Sequence, residues 1–187
     1  MKDILLIEQL AQKGKEAGEK VKKEFSHITL EQLNWKPAPG SWSVGQCLDH
    51  LIVADCLYCS AFKKIAEKKY KMTGWQRWSL FGGLFGKILV TQMQENVKSK
   101  VKTAKIFFPS ASQIDAGIME RFRKHLDSLL EYIESFKDVD LDKTHMASPV
   151  STFITYSLRN AVKLLVQHEH RHINQALRVM QHNDFPK

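Results

Sequence analysis

The chain has 187 residues, 43% hydrophobic and 26% charged, ordinary values for one soluble domain that builds its core without staples. No apolar run reaches the roughly 18 residues of a membrane span, because Leu80–Val90 is broken by Gly82, Gly83, Gly86 and Lys87. The net charge of +8 admits anionic partners, but the lysines are spread along helical stretches and read as solvated faces. Asp3 and Glu8 near the N-terminus do not fit a signal peptide. Three cysteines, an odd number, argue for reduced thiols, so a cytoplasmic protein is expected.

Apolar residues Ile4, Leu5, Ile7, Leu10, Ala11, Ala17, Val21 and Phe25 recur at three- and four-residue steps and predict a first amphipathic helix from Asp3 to about Phe25. A loop with Pro37, Pro39 and Gly40 follows. Ser41 or Ser43 then caps a second helix, expected to run to about Tyr70, whose broad face includes Val44, Cys47, Leu48, Leu51, Asp55 and Tyr58. Residues 73–90 are aromatic, glycine-rich and without a clean period. A polar helix is expected from about Val90 to Lys105, with a short strand near Ile106–Phe108 and a stop at Pro109. A third strong helix is predicted over Ser112–Phe136, then a polar loop around Asp138–Pro149. Ser157 opens a last helix, Leu158 to about Gln181. The pattern is all-α: a single domain over 1–187, read as an antiparallel four-helix bundle with an aromatic, glycine-rich helical insertion between helices two and three.

His168 and His172 stand four residues apart in the last helix, so both imidazoles lie on one face and can reach one ion. They continue the apolar stripe Ala161, Leu164, Leu165 and so point inward, where paired histidines are costly unless ligated or hydrogen-bonded. His50 adjoins the apolar face of the second helix, and bundle cores assemble metal sites from ligands on different helices.

The segment LEQLNWKPAPGSWSVGQCLDHL (Leu30–Leu51), with its W-x-P-x-P-G-x-W-S loop, and the H-x-x-x-H-x-x-Q element of HEHRHINQ (His168–Gln175) together resemble the DinB-like (DNA-damage-inducible) metal-binding four-helix bundle superfamily. That resemblance implies His50, His168 and His172 as ligands of a divalent ion. Zinc is the ion expected; nickel, iron and manganese also accept three histidines. It also implies kinship with bacillithiol and mycothiol S-transferases, hence a low-molecular-weight thiol cosubstrate and a small electrophilic substrate. A hydrolase of amide or ester bonds is the alternative, since three imidazoles leave a coordination position open. A non-enzymatic metal-binding stress protein is the third reading.

The residues around the pair suggest less. His168–His172 also satisfies H-E-x-x-H, but the third-ligand position of metzincins falls on Arg178, which cannot ligate. Glu169 is a candidate to orient a ligand or move a proton, beside the simpler reading of a solvated acid. His125 reads as core, and His170 and His182 as surface. Cys56-x-x-Cys59 lacks a partner pair, and Cys47 is the thiol nearest the expected ion. Trp75, Trp78, Phe81 and Phe85 suit a pocket lid, a homodimer interface or plain packing. No recognition-helix motif supports nucleic-acid binding.

Overall fold

The computed structural model describes residues 2–78 and 103–187. The expected helix from Val90 and most of the aromatic segment 73–90, Phe81 and Phe85 included, lie outside the described residues. The helices are α1 (Lys2–Phe25), α2 (Leu30–Asn34), α3 (Val44–Ala66), α4 (Gly74–Trp78), α5 (Ile118–Ser135) and α6 (Leu158–Met180). Single 3-10 turns occupy Lys105–Phe107 and Phe136–Asp138, and strands β1 (His145–Ser148) and β2 (Ser151–Ser157) form a hairpin.

The long helices start where side chains satisfy their free N–H groups. Ser43 caps α3 in a reciprocal capping box with Gln46, and Ser157 accepts from Asn160 N at the start of α6. Ser43, not Ser41, is therefore the cap. Helix α3 ends at Ala66, short of Tyr70, and Lys68 just beyond has φ of +56°. Helix α5 begins at Ile118 instead of Ser112, because Asp115 Oδ1 takes up Gly117 N and Arg121 Nη1 and holds the preceding backbone in a turn. The segment at Ile106–Phe108 is a 3-10 turn, not a strand.

Two elements carry no strong sequence signal. Thr29 and Gln32 form a capping box for the single-turn α2. The hairpin lies where a polar loop is expected. It pairs Met146 with Tyr156, both buried, while its other face is largely polar and the register slips between Ala147 and Ser148. With one short apolar pair and a bulge, no sustained alternation reaches the sequence.

Of the successive long helices, only α3 and α5 are neighbours. Helix α1 packs on α5 and α6, and α3 packs on the same two. Successive helices α1 and α3 therefore face across a diagonal, as do α5 and α6. A simple antiparallel bundle would set them side by side. The long connections, residues 26–43 and 136–157, reach across the bundle ends and permit the crossing. One cluster of buried residues, including Ile7, Phe25, Leu51, Phe62, Phe122 and Leu165, draws on all four. Gly14 brings α1 close to α5: a Cβ there would sit 2.4 Å from Leu130 Cδ2. Among the described residues no helix is long and apolar enough to cross a membrane.

Candidate metal centre

The diagonal arrangement makes α3 and α6 neighbours, and this sets His50 against His168 and His172. All three are buried, at 2%, 8% and 8% exposure. Their ring centroids lie 4.4–4.9 Å apart. One nitrogen from each ring falls within 4.8 Å of the others, the one such group of three among the described residues. His50 Nε2 and His168 Nε2 are 3.1 Å apart. Two imidazoles on one tetrahedral ion, each bonded at about 2.0–2.1 Å, would have nitrogens roughly 3.3 Å apart, so the spacing fits.

The orientation of His50 is fixed from outside. Its Nδ1–H donates to the carbonyl of Phe107, leaving the Nε2 lone pair turned toward the cluster. The 3-10 turn bearing that carbonyl is itself tied to α3: Ser110 N donates to Asp49 Oδ2, and Gln46 Nε2 donates to the Ala111 carbonyl at 3.1 Å. Trp42, in the loop before α3, lays its ring 4.5 Å from His50 and 5.7 Å from His172, centroid to centroid. Gln175, three residues further along α6, acts on His172 in the direction that raises its pKa, against the larger effect of burial.

Burial sets the charge state. Desolvation lowers the pKa of His50, takes that of His168 well below the usual imidazole range, and brings His172 down to about 3. The neighbouring imidazoles lower His168 and His172 further. Three neutral rings offer lone pairs, as metal ligation requires. The buried Nδ1 atoms of His168 and His172 have no hydrogen-bond partner, the sort of polar orphan that an ion or its ordered surroundings would relieve. The residues present thus fit a divalent ion. His172 also forms part of the wall of a cavity of about 690 Å³ between residues 37–42 and α6.

The other sequence candidates fall elsewhere. Cys47 is buried, its thiol pushed up to about 12 by desolvation, and it is not in the histidine group. Glu169 is not a solvated acid: it is 1% exposed, on the α3–α6 interface, beside Asp55 at 0%. Burial, and after it the neighbouring Asp55 carboxylate, hold its carboxyl well above the usual range, and neither Glu169 oxygen has a hydrogen-bond partner among the described residues. His125 Nε2–H donates to Asp55 Oδ2 at 3.3 Å, and the Cys56 thiol lies 3.8 Å from His125 Nδ1. His125 therefore does more than fill the core. His170 is half-buried with Nε2 at 3.1 Å from the Lys13 carbonyl, and His182 packs on Trp35 at 5.3 Å. Trp75 is exposed and donates to the Phe153 carbonyl. Sequence reasoning missed Phe107 and the Asp55–Glu169 pair. Phe107 acts through its carbonyl, which no side-chain pattern records, whereas Asp55 already stood on the apolar face of its helix.

The family model described as the DinB superfamily matches residues 15–176. The chain belongs to the DinB superfamily. A solved structure described as "YfiT from Bacillus subtilis is a probable metal-dependent hydrolase with an unusual four-helix bundle topology" is similar in fold, with a TM-score of 0.50 and 15% identity. The match covers 94% of this chain and 86% of that one. No functionally curated protein matches the chain. In DinB-superfamily terms, the W-x-P-x-P-G-x-W-S loop supplies Trp42 and the Ser43 cap, and the H-x-x-x-H-x-x-Q element places Gln175 against His172.

Proposed function

We propose that this DinB-superfamily chain is a metal-dependent hydrolase of small ester or amide substrates, with His50, His168 and His172 as ligands of a divalent ion, zinc first. The observation that carries the reading is three buried, neutral imidazoles converging within 4.8 Å, one of them in the wall of an open cavity. When bound, the ion supplies Lewis acidity, acidifying water or a thiol and polarising a carbonyl. The chain's own residues do the rest. Phe107 orients His50, Trp42 shields the rings from bulk water, and the cavity volume suits a small molecule. YfiT, similar in fold, is described as a probable metal-dependent hydrolase, which agrees with this reading.

A second reading, thiol-dependent S-transfer to small electrophiles, is favoured by one feature. Among the described residues, no carboxylate lines the cavity to act as general base, and a thiol needs less help than water to lose its proton.

The test is elemental analysis of purified protein and of the His50→Ala, His168→Ala and His172→Ala variants, with turnover of an ester and amide panel in the presence and absence of added thiol. Hydrolysis without thiol, abolished by chelation and by each substitution, is expected. Activity strictly dependent on thiol moves the assignment to S-transfer. Metal content unchanged in His50→Ala removes the site, and metal binding without turnover of any kind leaves a non-enzymatic metal-binding protein.

A further inference from the structure

The cavity beside His172 has a definite electrical character. Arg171, Gln175 and Arg178 line it from α6, at spacings of four and three residues that keep them along one face of the helix. Its described lining contains two arginines and no aspartate or glutamate. Arg178 has no ion pair with any described residue. The lining contributed from outside α6 includes Pro37 and the rings of Trp42 and Phe108, beside the hydroxyl residues Ser41 and Thr103. Arginines from α6 together with aromatic rings from the neighbouring segments define a ligand with a charged end and an apolar body. Planar oxyanions match the guanidinium fork best, and cationic walls around a concave site raise the local concentration of anions.

We propose that the cavity selects small organic carboxylates: the carboxylate docks on Arg178 and Arg171, and the apolar body lies against Trp42 and Phe108. The inference rests on the metal-enzyme reading for where the substrate reacts, since His172 shares the wall. It does not rest on that reading for anion binding itself. It also gives the positive charge of the chain a local use that the scattered lysines do not provide.

The experiment is titration calorimetry of the full chain with two probes of one shape, 4-phenylbutyrate and its neutral amide. Both are measured before and after chelation, with metal content determined in each sample. The acid is expected to bind at least about tenfold more tightly than the amide, the ordinary worth of one charge-assisted hydrogen bond. That preference should persist after chelation and fall about tenfold or more in the Arg171→Gln/Arg178→Gln double variant. Lys63→Gln removes one exposed charge away from the cavity and should leave the preference intact. Equal binding of acid and amide overturns the proposal, as does a preference that survives the double variant. A preference that disappears with the metal while both arginines remain assigns the carboxylate to the ion and also overturns it. Persistence of the preference in a protein that never binds metal overturns the metal reading and leaves the carboxylate pocket standing.

Discussion

Asp55 on α3 and Glu169 on α6 meet as a buried acid pair across the same interface that brings His50 to His168. One helix pair thus carries two polar clusters of opposite demand. The imidazoles must stay unprotonated to be useful as ligands, whereas Glu169 must keep its proton to sit beside a carboxylate in a dry interface. The two clusters impose opposite pH dependences on stability.

For Glu169 the folded pKa lies above its ordinary value of 4.5. Its favourable contribution is complete below pH 4.5 and is lost as pH rises toward the folded value. Glu169→Gln keeps the shape and a donor for Asp55 without a proton to lose. The variant should match the wild type in thermal unfolding near pH 4 and exceed it at pH 7–8 by on the order of 1 kcal/mol. A variant less stable than wild type at pH 8 would show that the protonated acid is not the burdened partner.

For the histidines the folded pKa values are depressed, to about 3 for His172. Without metal, the unfolded chain takes up protons below about pH 6.5 that the folded chain refuses, so stability rises with pH across that window and falls as pH drops. Chemical denaturation of chelated protein from pH 7 to 5 should show this loss. A triple His50→Gln, His168→Gln, His172→Gln variant should flatten the slope.

Trp42 lies over His50 and His172, whereas Trp35 packs on His182 and Phe185. Titration with cobalt(II) should therefore quench tryptophan emission mainly through Trp42. Trp42→Phe is expected to abolish most of the quenching, and Trp35→Phe to preserve it. Equal quenching in both variants would place the ion elsewhere.

Gly14 allows α1 to approach Leu130 so closely that a methyl group, at 2.4 Å from Cδ2, would have to push that end of the leucine side chain aside. Alanine gains up to about 1 kcal/mol in helix propensity, but overpacking a core contact costs about 1–3 kcal/mol. Gly14→Ala should lower stability by about 1 kcal/mol in urea denaturation. A Leu130→Val change that is destabilising by itself should cost less in the Gly14→Ala background, which a double-mutant cycle measures.

Much of this protein is local and was therefore legible in the chain. Helical periodicity marks α1 to Phe25, the Ser157 cap marks the start of α6, and the i, i+4 spacing puts His168 and His172 on one face, because a helix relates neighbours by its own repeat. Other features depend on which helices become neighbours, and no local repeat encodes that. The diagonal placement of α1 and α3 creates the α3–α6 interface, the approach of His50 to the pair, the burial of Glu169 and the Phe107 carbonyl behind His50. Glu169 shows the difference most plainly: its residue type and helix position suggest a solvated acid, and only burial in the α3–α6 interface, with Asp55 arriving beside it from another helix, makes it a proton-holding group in the core.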